Sequence, residues 1–487
     1  MAKQAIELSY AVRFHVVFKY FGQLCLLLAA LTLAPLAVSI FFNDLSISLK
    51  YGLVIAGLAL LGGALIQLNS PSKIQPNEGI VLVAMMFVFT PLVMSFPIMG
   101  AGLSFIDALF EAISGVTTTG LSTQSSLLTA SPTFLFARAW MQWYGGLGIV
   151  VLSLALVMQP GILAKGLAVE EVEQDNLVGS TRAHARQILM VYAALTLLGV
   201  SGAWLAGIGF FNAVLYTFAA VSTGGFAPMD GSLAALSWPL QAGITLLCFA
   251  GAIPLTLYYQ VVKQRKLSAV GFLQLCTLMI ACALVAIAVA TTMTLTGDMS
   301  WSQVLQHAPL LAISAQSSAG FSSMPTEQLD AGSKLMLIFS MLIGGSAGST
   351  AGGLKLLRLL IVISVLRLII LRTCLPKHAV VEPRLAGRRL GSDEIQVALL
   401  LMLLFVAVVA LSWLPFVVMG YDPLDALFEV VSATGTVGLS VGVSSASLPP
   451  LLKGILCADM LLGRLEIMAW LVVIYPRTWF GRRMEDA

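Results

Sequence analysis

The chain has 487 residues, 59% of them apolar and only 10% charged, with a formal net charge of +3. Its mean hydropathy is +0.95. No soluble domain could hide that much apolar surface, so the composition excludes a soluble globular protein and predicts a polytopic membrane protein.

The apolar residues fall in runs of about 20, the length a helix needs to cross a hydrocarbon core roughly 30 Å thick. The first run, from Phe21 to Phe42, follows an amphipathic stretch carrying Arg13, His15 and Lys19. It lacks a small-residue cleavage site, so it reads as a retained helix and not a signal peptide. A second run from Leu49 to Leu68 completes an N-terminal two-helix region, residues 1–77. Eight more follow: Gly79 to Met99, Phe134 to Met158, Ile188 to Leu205, Pro239 to Val262, Gly271 to Thr292, Leu335 to Leu371, Ile395 to Met419, and Leu451 to Tyr475.

Short loops rich in Lys and Arg stay cytoplasmic. With ten spans both termini share a side. Putting them inside makes Arg477, Arg482 and Arg483, the loop with Lys263, Arg265 and Lys266, and the segment from Lys355 to Arg389 cytoplasmic. The opposite loops then hold little more than Lys50, Lys334 and Lys453. Six cysteines (Cys25, Cys248, Cys276, Cys282, Cys374 and Cys457) form no CxxC pair and read as small apolar packers. His15, His184, His307 and His378 are scattered, which argues against a metal site built from imidazoles.

Between the third and fourth runs, residues 107–122 read "DALFEAISGVTTTGLS"; residues 425–440 read "DALFEVVSATGTVGLS", a repeat at an offset of 318. Two weaker copies surround Gly225 ("FFNAVLYTFAAVSTGGFAP") and Gly320 ("HAPLLAISAQSSAGFSS"). Each copy follows a span, has an apolar segment of about 12 residues and a Thr/Ser/Gly tract, and precedes another span. The fold class expected is an all-α polytopic membrane protein. It has four channel-like helix/pore-helix/helix repeats around a pseudo-fourfold pore, plus the two N-terminal helices. The repeats are taken as residues 78–165, 166–266, 267–390 and 391–487, the last with a cytoplasmic tail.

Segments this short must enter the membrane and return. Such backbone survives at membrane depth only where protein buries it or it lines a wet cavity. Four of them therefore want one shared axis, where the negative ends of four short helices favour a cation. Gly and Thr rows let successive carbonyls replace a hydration shell, and "TVGLS" at residues 436–440 is close to the potassium-channel filter "TVGYG". The candidate ion-binding residues are Thr118, Thr119, Gly120, Thr223, Gly224, Gly225, Ser318, Ala319, Gly320, Thr436, Val437 and Gly438. Close helix packing explains any one Gly-Thr cluster equally well, but not four in the same context.

The run from Leu335 to Leu371 is too long for one straight span, and its middle reads "GGSAGSTAGG" from Gly344 to Gly353. Each glycine costs a helix about 1 kcal/mol relative to alanine, so a loop is expected there, with Gly344, Gly345, Gly348, Gly352 and Gly353 as candidate gate residues. A phosphate cradle fails on spacing, because Lys355 stands between Leu354 and Leu356. Arg464 lies well inside the last span, where it costs roughly 2.5–3.5 kcal/mol and needs partners. Asp459, Glu466 and the carbonyls of the gate loop are the candidates. Glu111 and Glu429 match in the first and fourth copies, with Tyr216 and Ala312 at the corresponding sites of the others, and read as acceptors for nearby backbone donors.

These residues resemble the Trk/Ktr/HKT superfamily of potassium transporters, most closely the bacterial TrkH-type membrane subunit. The resemblance covers the four repeats, about residues 78–475, and the two extra N-terminal spans suit the Trk branch. It implies potassium as substrate without a covalent cofactor, and no enzymatic activity. It implies an intramembrane loop that obstructs the pore, and a "GRLE" arginine, Arg464, as a positive barrier on the axis. A serine at the first filter glycine admits sodium in that family; here all four counterparts are glycine. The resemblance also implies a homodimer in the cell inner membrane and a cytoplasmic, nucleotide-binding regulatory ring of the TrkA type. The basic segment from Arg358 to Arg389 could meet that ring, although membrane lipid is the simpler counterpart for most of its charges. No nucleic-acid partner is expected. The rival reading is a secondary active transporter, a cation-coupled symporter with a midplane site; it would show two inverted halves and not four units running the same way.

Overall fold

The structure, a computed structural model, describes residues 11–69, 74–124, 126–157, 177–265, 267–296, 299–376 and 381–480. Lys266, His378, Arg482 and Arg483, and Met158 at the end of the fourth expected span, lie outside them. The chain forms two compact units. One comprises Met1–Ile113, Ser131–Ala137 and Leu465–Ala487, and the other comprises Ser114–Ala130 and Arg138–Arg464.

The helices of the first unit include α1 (Phe14–Phe41), α2 (Leu45–Ile66) and α3 (Pro76–Ile98). The helices α1 and α2 lie close because Gly22 and Gly62 face each other; a β carbon on either would collide with the other helix. Pro76 opens α3, and Gln75 and Glu78 cap it reciprocally. The Glu78 carboxylate also takes the Arg13 fork, with Nε 2.8 Å from Oε1 and Nη2 3.0 Å from Oε2. Arg13 and Glu78 are both buried. Beside them Val12 N donates to Thr478 O at 2.8 Å, and the Phe14 ring stacks on Trp479. Glu78→Ala removes the carboxylate that the buried Arg13 fork grips and is expected to cost about 3–5 kcal/mol. Thermal unfolding in detergent should register that loss, and Arg13→Met with Glu78→Leu should recover most of it. A double variant as unstable as the single would contradict the pairing.

In chain order the remaining helices are α4 (Phe105–Val116), α5 (Pro132–Val157), α6 (Leu177–Leu205), α7 (Phe210–Val221), α8 (Trp238–Ala252), α9 (Leu255–Tyr259), α10 (Ala269–Leu295), α11 (Trp301–Gln316), α12 (Ala331–Ile343), α13 (Leu356–Thr373), α14 (Ser392–Val418), α15 (Pro423–Thr434), α16 (Pro450–Arg464), α17 (Glu466–Ile474) and α18 (Pro476–Trp479). Among the described residues six are long and apolar enough to cross a membrane, or seven if the bent pair after Trp238 counts as one span. A small antiparallel hairpin pairs Arg384 with Arg389 and Leu385 with Arg388. Four helices, α4, α7, α11 and α15, have 12, 12, 16 and 12 residues and cannot cross a membrane.

Two expected straight spans are broken. The run from Pro239 to Val262 bends by 91° after Ala252. Ile253 there is extended at φ −79°, ψ 143°, as a residue before proline prefers, and Pro254 has no N–H to continue the ladder. The run from Leu451 to Tyr475 ends one helix at Arg464 and starts another at Glu466, whose φ is +59°. The chain from Leu335 to Leu371 is also split, α12 ending at Ile343 and α13 starting at Leu356.

Candidate functional site

All the candidate site residues fall in the second unit. The ends of α4, α7, α11 and α15 share one geometry. Thr118 N donates to Gly115 O, and Thr119 N to Ser114 O, at 3.0 and 2.9 Å. The same pair of bonds runs from Thr223 to Ala220 and Gly224 to Ala219, from Ser318 to Ala315 and Ala319 to Ser314, and from Thr436 to Ala433 and Val437 to Ser432. This is the Schellman ending, which requires a left-handed residue and usually takes glycine. Here that residue is Thr118, Thr223, Ser318 or Thr436, with φ of 52°, 52°, 51° and 48°. The left-handed form costs an L-residue about 1–2 kcal/mol. Such strain persists where the surroundings over-determine it, typically at functional sites.

Two residues later each chain reaches its glycine, with φ of +96° at Gly120, +79° at Gly225, +71° at Gly320 and +92° at Gly438. These four glycines meet in a cycle. A β carbon on Gly120 would run into the Gly224 carbonyl oxygen, one on Gly225 into that of Ala319, one on Gly320 into that of Val437, and one on Gly438 into that of Thr119. The four tracts therefore close a ring. Each glycine is partly accessible while the residues before and after it are buried, with Leu121, Phe226, Phe321 and Leu439 at 1%, 3%, 1% and 1% exposure. The four tracts carry backbone carbonyl and hydroxyl oxygens, the ligand type that hard cations take. Four helix C-termini, each carrying about half a negative charge, end beside it. The buried Oγ1 atoms of Thr118 and Thr436 have no hydrogen-bond partner among the described residues. No group of three or more His, Cys, Asp or Glu able to hold a metal occurs among those residues.

Side chains behind the ring hold the strands. Ser114 Oγ accepts from Gly120 N, and Ser432 Oγ from Gly438 N, both at 3.0 Å. Glu429 accepts from Ser440 Oγ, Val441 N and Ser444 N at 2.8, 3.2 and 3.0 Å, and Glu111 is buried. Counted back from the left-handed residue, the third-copy counterpart of these glutamates is Leu311, one residue before the expected Ala312. The two serines escaped the sequence reading, although both stand at the same place in the repeated phrase. Gln142 on α5 was also missed; its signal is an amide one turn after Arg138 in a span that is mostly apolar.

Residues 344–353 form a non-helical loop against the underside of three tracts. Gly352 N donates to Ser318 Oγ at 2.6 Å, and Thr350 Oγ1 to Val221 O at 3.1 Å. Thr223 Oγ1 donates to Thr350 Oγ1 at 3.3 Å. A β carbon on Gly352 would strike Thr436 Oγ1 and Gly435 O. Gln316 Nε2 donates to Gly344 O at 2.6 Å, while Ser340 Oγ donates to its Oε1 at 2.9 Å. Gly345 N bonds to Gly352 O, and Ser346 N and Thr350 N bond to Ala252 O and Gly251 O. Protein groups thus satisfy backbone that lipid could not. Gly344, Gly348 and Gly353 take φ of +68°, +76° and +78°. Arg464 is 5% exposed and donates from Nη1 to Thr350 O at 2.8 Å. Asp459 is engaged elsewhere, accepting from Ser412 Oγ at 2.6 Å.

The chain matches the TrkH family model, described as a cation transport protein, over residues 58–478. It is 27% identical to the Trk system potassium uptake protein TrkH of Halomonas elongata, over 95% of this chain and 98% of that protein. It is also 27% identical to the TrkH protein of Escherichia coli K12, over 96% of this chain and all of that protein. An uncharacterized cation transporter of Methanocaldococcus jannaschii is 27% identical over 93% of each chain. The crystal structure of the potassium transporter TrkH from Vibrio parahaemolyticus shares the fold, with a TM-score of 0.84 and 23% identity over 96% of this chain and all of that one.

Proposed function

Because this chain belongs to the TrkH family of cation transport proteins, we propose that it takes up potassium through the ring made by residues 118–120, 223–225, 318–320 and 436–438. The observation that carries the reading is the cycle of four glycines, each packed on the carbonyl that precedes the next. A dehydrated monovalent cation needs a closed set of oxygens, and one tract alone cannot supply it. Potassium as the ion is supported by the relatives named as potassium uptake proteins and by glycine at all four positions.

In this reading residues 344–353 are the gate. They lie against Ser318, Thr223 and Thr436, so the loop must move for an ion to leave the ring inward. Arg464 holds the loop through Thr350 and adds a positive charge that a passing cation meets. An inside-negative potential contributes about 2.3 kcal/mol per charge per 100 mV, roughly fifty-fold accumulation, so electrodiffusion suffices without a coupling ion. The protein sits in the cell inner membrane with both termini cytoplasmic, works as a homodimer, and takes its regulation from a cytoplasmic nucleotide-binding ring. The word "system" in the relatives' names supports a partner subunit.

The test is rubidium and potassium flux into proteoliposomes holding the purified protein, with an imposed potential and no pH gradient. Uptake should follow the potential and favour potassium over sodium. Uptake that requires a pH or sodium gradient would overturn the reading in favour of a coupled symporter.

A further inference from the structure

Resting on that reading of the ring, we propose that Gln142 sets the ion specificity of the second strand by standing in for a side chain the strand itself lacks. At the position before the ring glycine the tracts carry Thr119, Ala319 and Val437, whereas the second carries Gly224. The vacated space is filled from α5. Gln142 is fully buried, and a β carbon on Gly224 would run into its side-chain amide. Its Nε2 donates to Gly224 O, and its Oε1 accepts from Phe226 N at 3.1 Å. One amide thereby brackets Gly225 on both sides. The orientation is forced, because a carbonyl can only accept and a backbone N–H can only donate. One turn earlier on α5, Arg138 is 2% exposed and lies 3.8 Å from the centroid of the Phe226 ring, a second hold on the same strand.

The corresponding helices show that this is a substitution within a repeated contact. Gly145, Gly251 and Gly463 each press on the last carbonyl of a short helix, of Val116, Val221 and Thr434. Three residues before these glycines stand Gln142, Cys248 and Met460. Cys248 shares a buried apolar cluster with Ala319, the residue of the third strand that matches Gly224. Where the strand has a methyl the helix presents a thiol; where the strand has only hydrogen the helix presents a larger, hydrogen-bonding amide. An unrestrained Gly224–Gly225 pair would be the softest part of the ring, since glycine is the most permissive backbone residue. Gln142 removes that freedom from a carbonyl that lies beside Gly120, and so acts as a positioning residue for ion selection.

Three variants reconstituted in proteoliposomes separate the possibilities. Gln142→Met keeps the bulk and loses both bonds; the potassium-to-sodium flux ratio should fall about tenfold or more. Gly224→Ala should lower flux at least about tenfold by colliding with the amide. Gln142→Ala combined with Gly224→Ala should restore most of the flux, because the methyl enters the space the amide leaves. If Gly224→Ala fails to insert, recovery of inserted protein by the added Gln142→Ala change reads the same coupling. An unchanged ion ratio in Gln142→Met, or a double variant no better than Gly224→Ala, would overturn the proposal while leaving the ring intact. A parent protein that conducts no potassium would overturn the reading on which it rests.

Discussion

Gly438→Ala is expected to abolish potassium uptake, lowering rubidium flux about a hundredfold or more while the protein still reaches the membrane. The cause is local. Gly438 has φ +92°, a region L-residues rarely enter, and its new β carbon would run into the Thr119 carbonyl. On the proposed reading the oxygen displaced is one the ring offers to the ion, so the damage falls on conduction before stability. Because the contacts form a cycle, Gly120, Gly225 and Gly320 should respond alike, through Gly224, Ala319 and Val437. Gly454→Ala, on the same polypeptide at a site with nothing within 4 Å, should leave flux within about twofold, since alanine suits a helix interior better than glycine. Uptake into cells lacking their own potassium transport, normalised to membrane content, makes the comparison. Near-parental flux in Gly438→Ala would refute the ring.

Arg464→Ala should raise basal flux about tenfold. Two effects act together: a buried positive charge is removed, and Thr350 O loses its donor. At an effective dielectric of about 20, unit charges about 12 Å apart interact by about 1.4 kcal/mol, and a barrier lowered by that much is about tenfold in rate. Arg464→Lys divides the two effects, because lysine keeps the charge but not the planar fork. It is expected to show an intermediate gain. Flux unchanged or reduced in Arg464→Ala would remove the arginine and its loop from the permeation path.

Much of this was legible in the residues. Composition alone announced a membrane protein, and the phrase shared by residues 107–122 and 425–440 marked the tracts that the structure gathers into one cycle. What escaped has physical reasons. The left-handed Thr118, Thr223, Ser318 and Thr436 could not be read, because that backbone form ordinarily advertises itself with glycine. The bend after Ala252 was signalled by Ile253–Pro254, but unbroken apolarity on both sides hid it. The break at Leu465 carries no proline at all. Gln142 is 82 residues from its carbonyl partner, and periodicity within a helix says nothing about what its polar residue meets across such a distance.

The most direct test is to locate the ion. Crystals or grids of the protein prepared in rubidium or thallium should show density on the axis between the backbone oxygens of the four tracts, lost when sodium replaces the heavier ion. Heavy-ion density confined to other surfaces, with the four-glycine cycle empty under conditions where the protein conducts, would contradict the account.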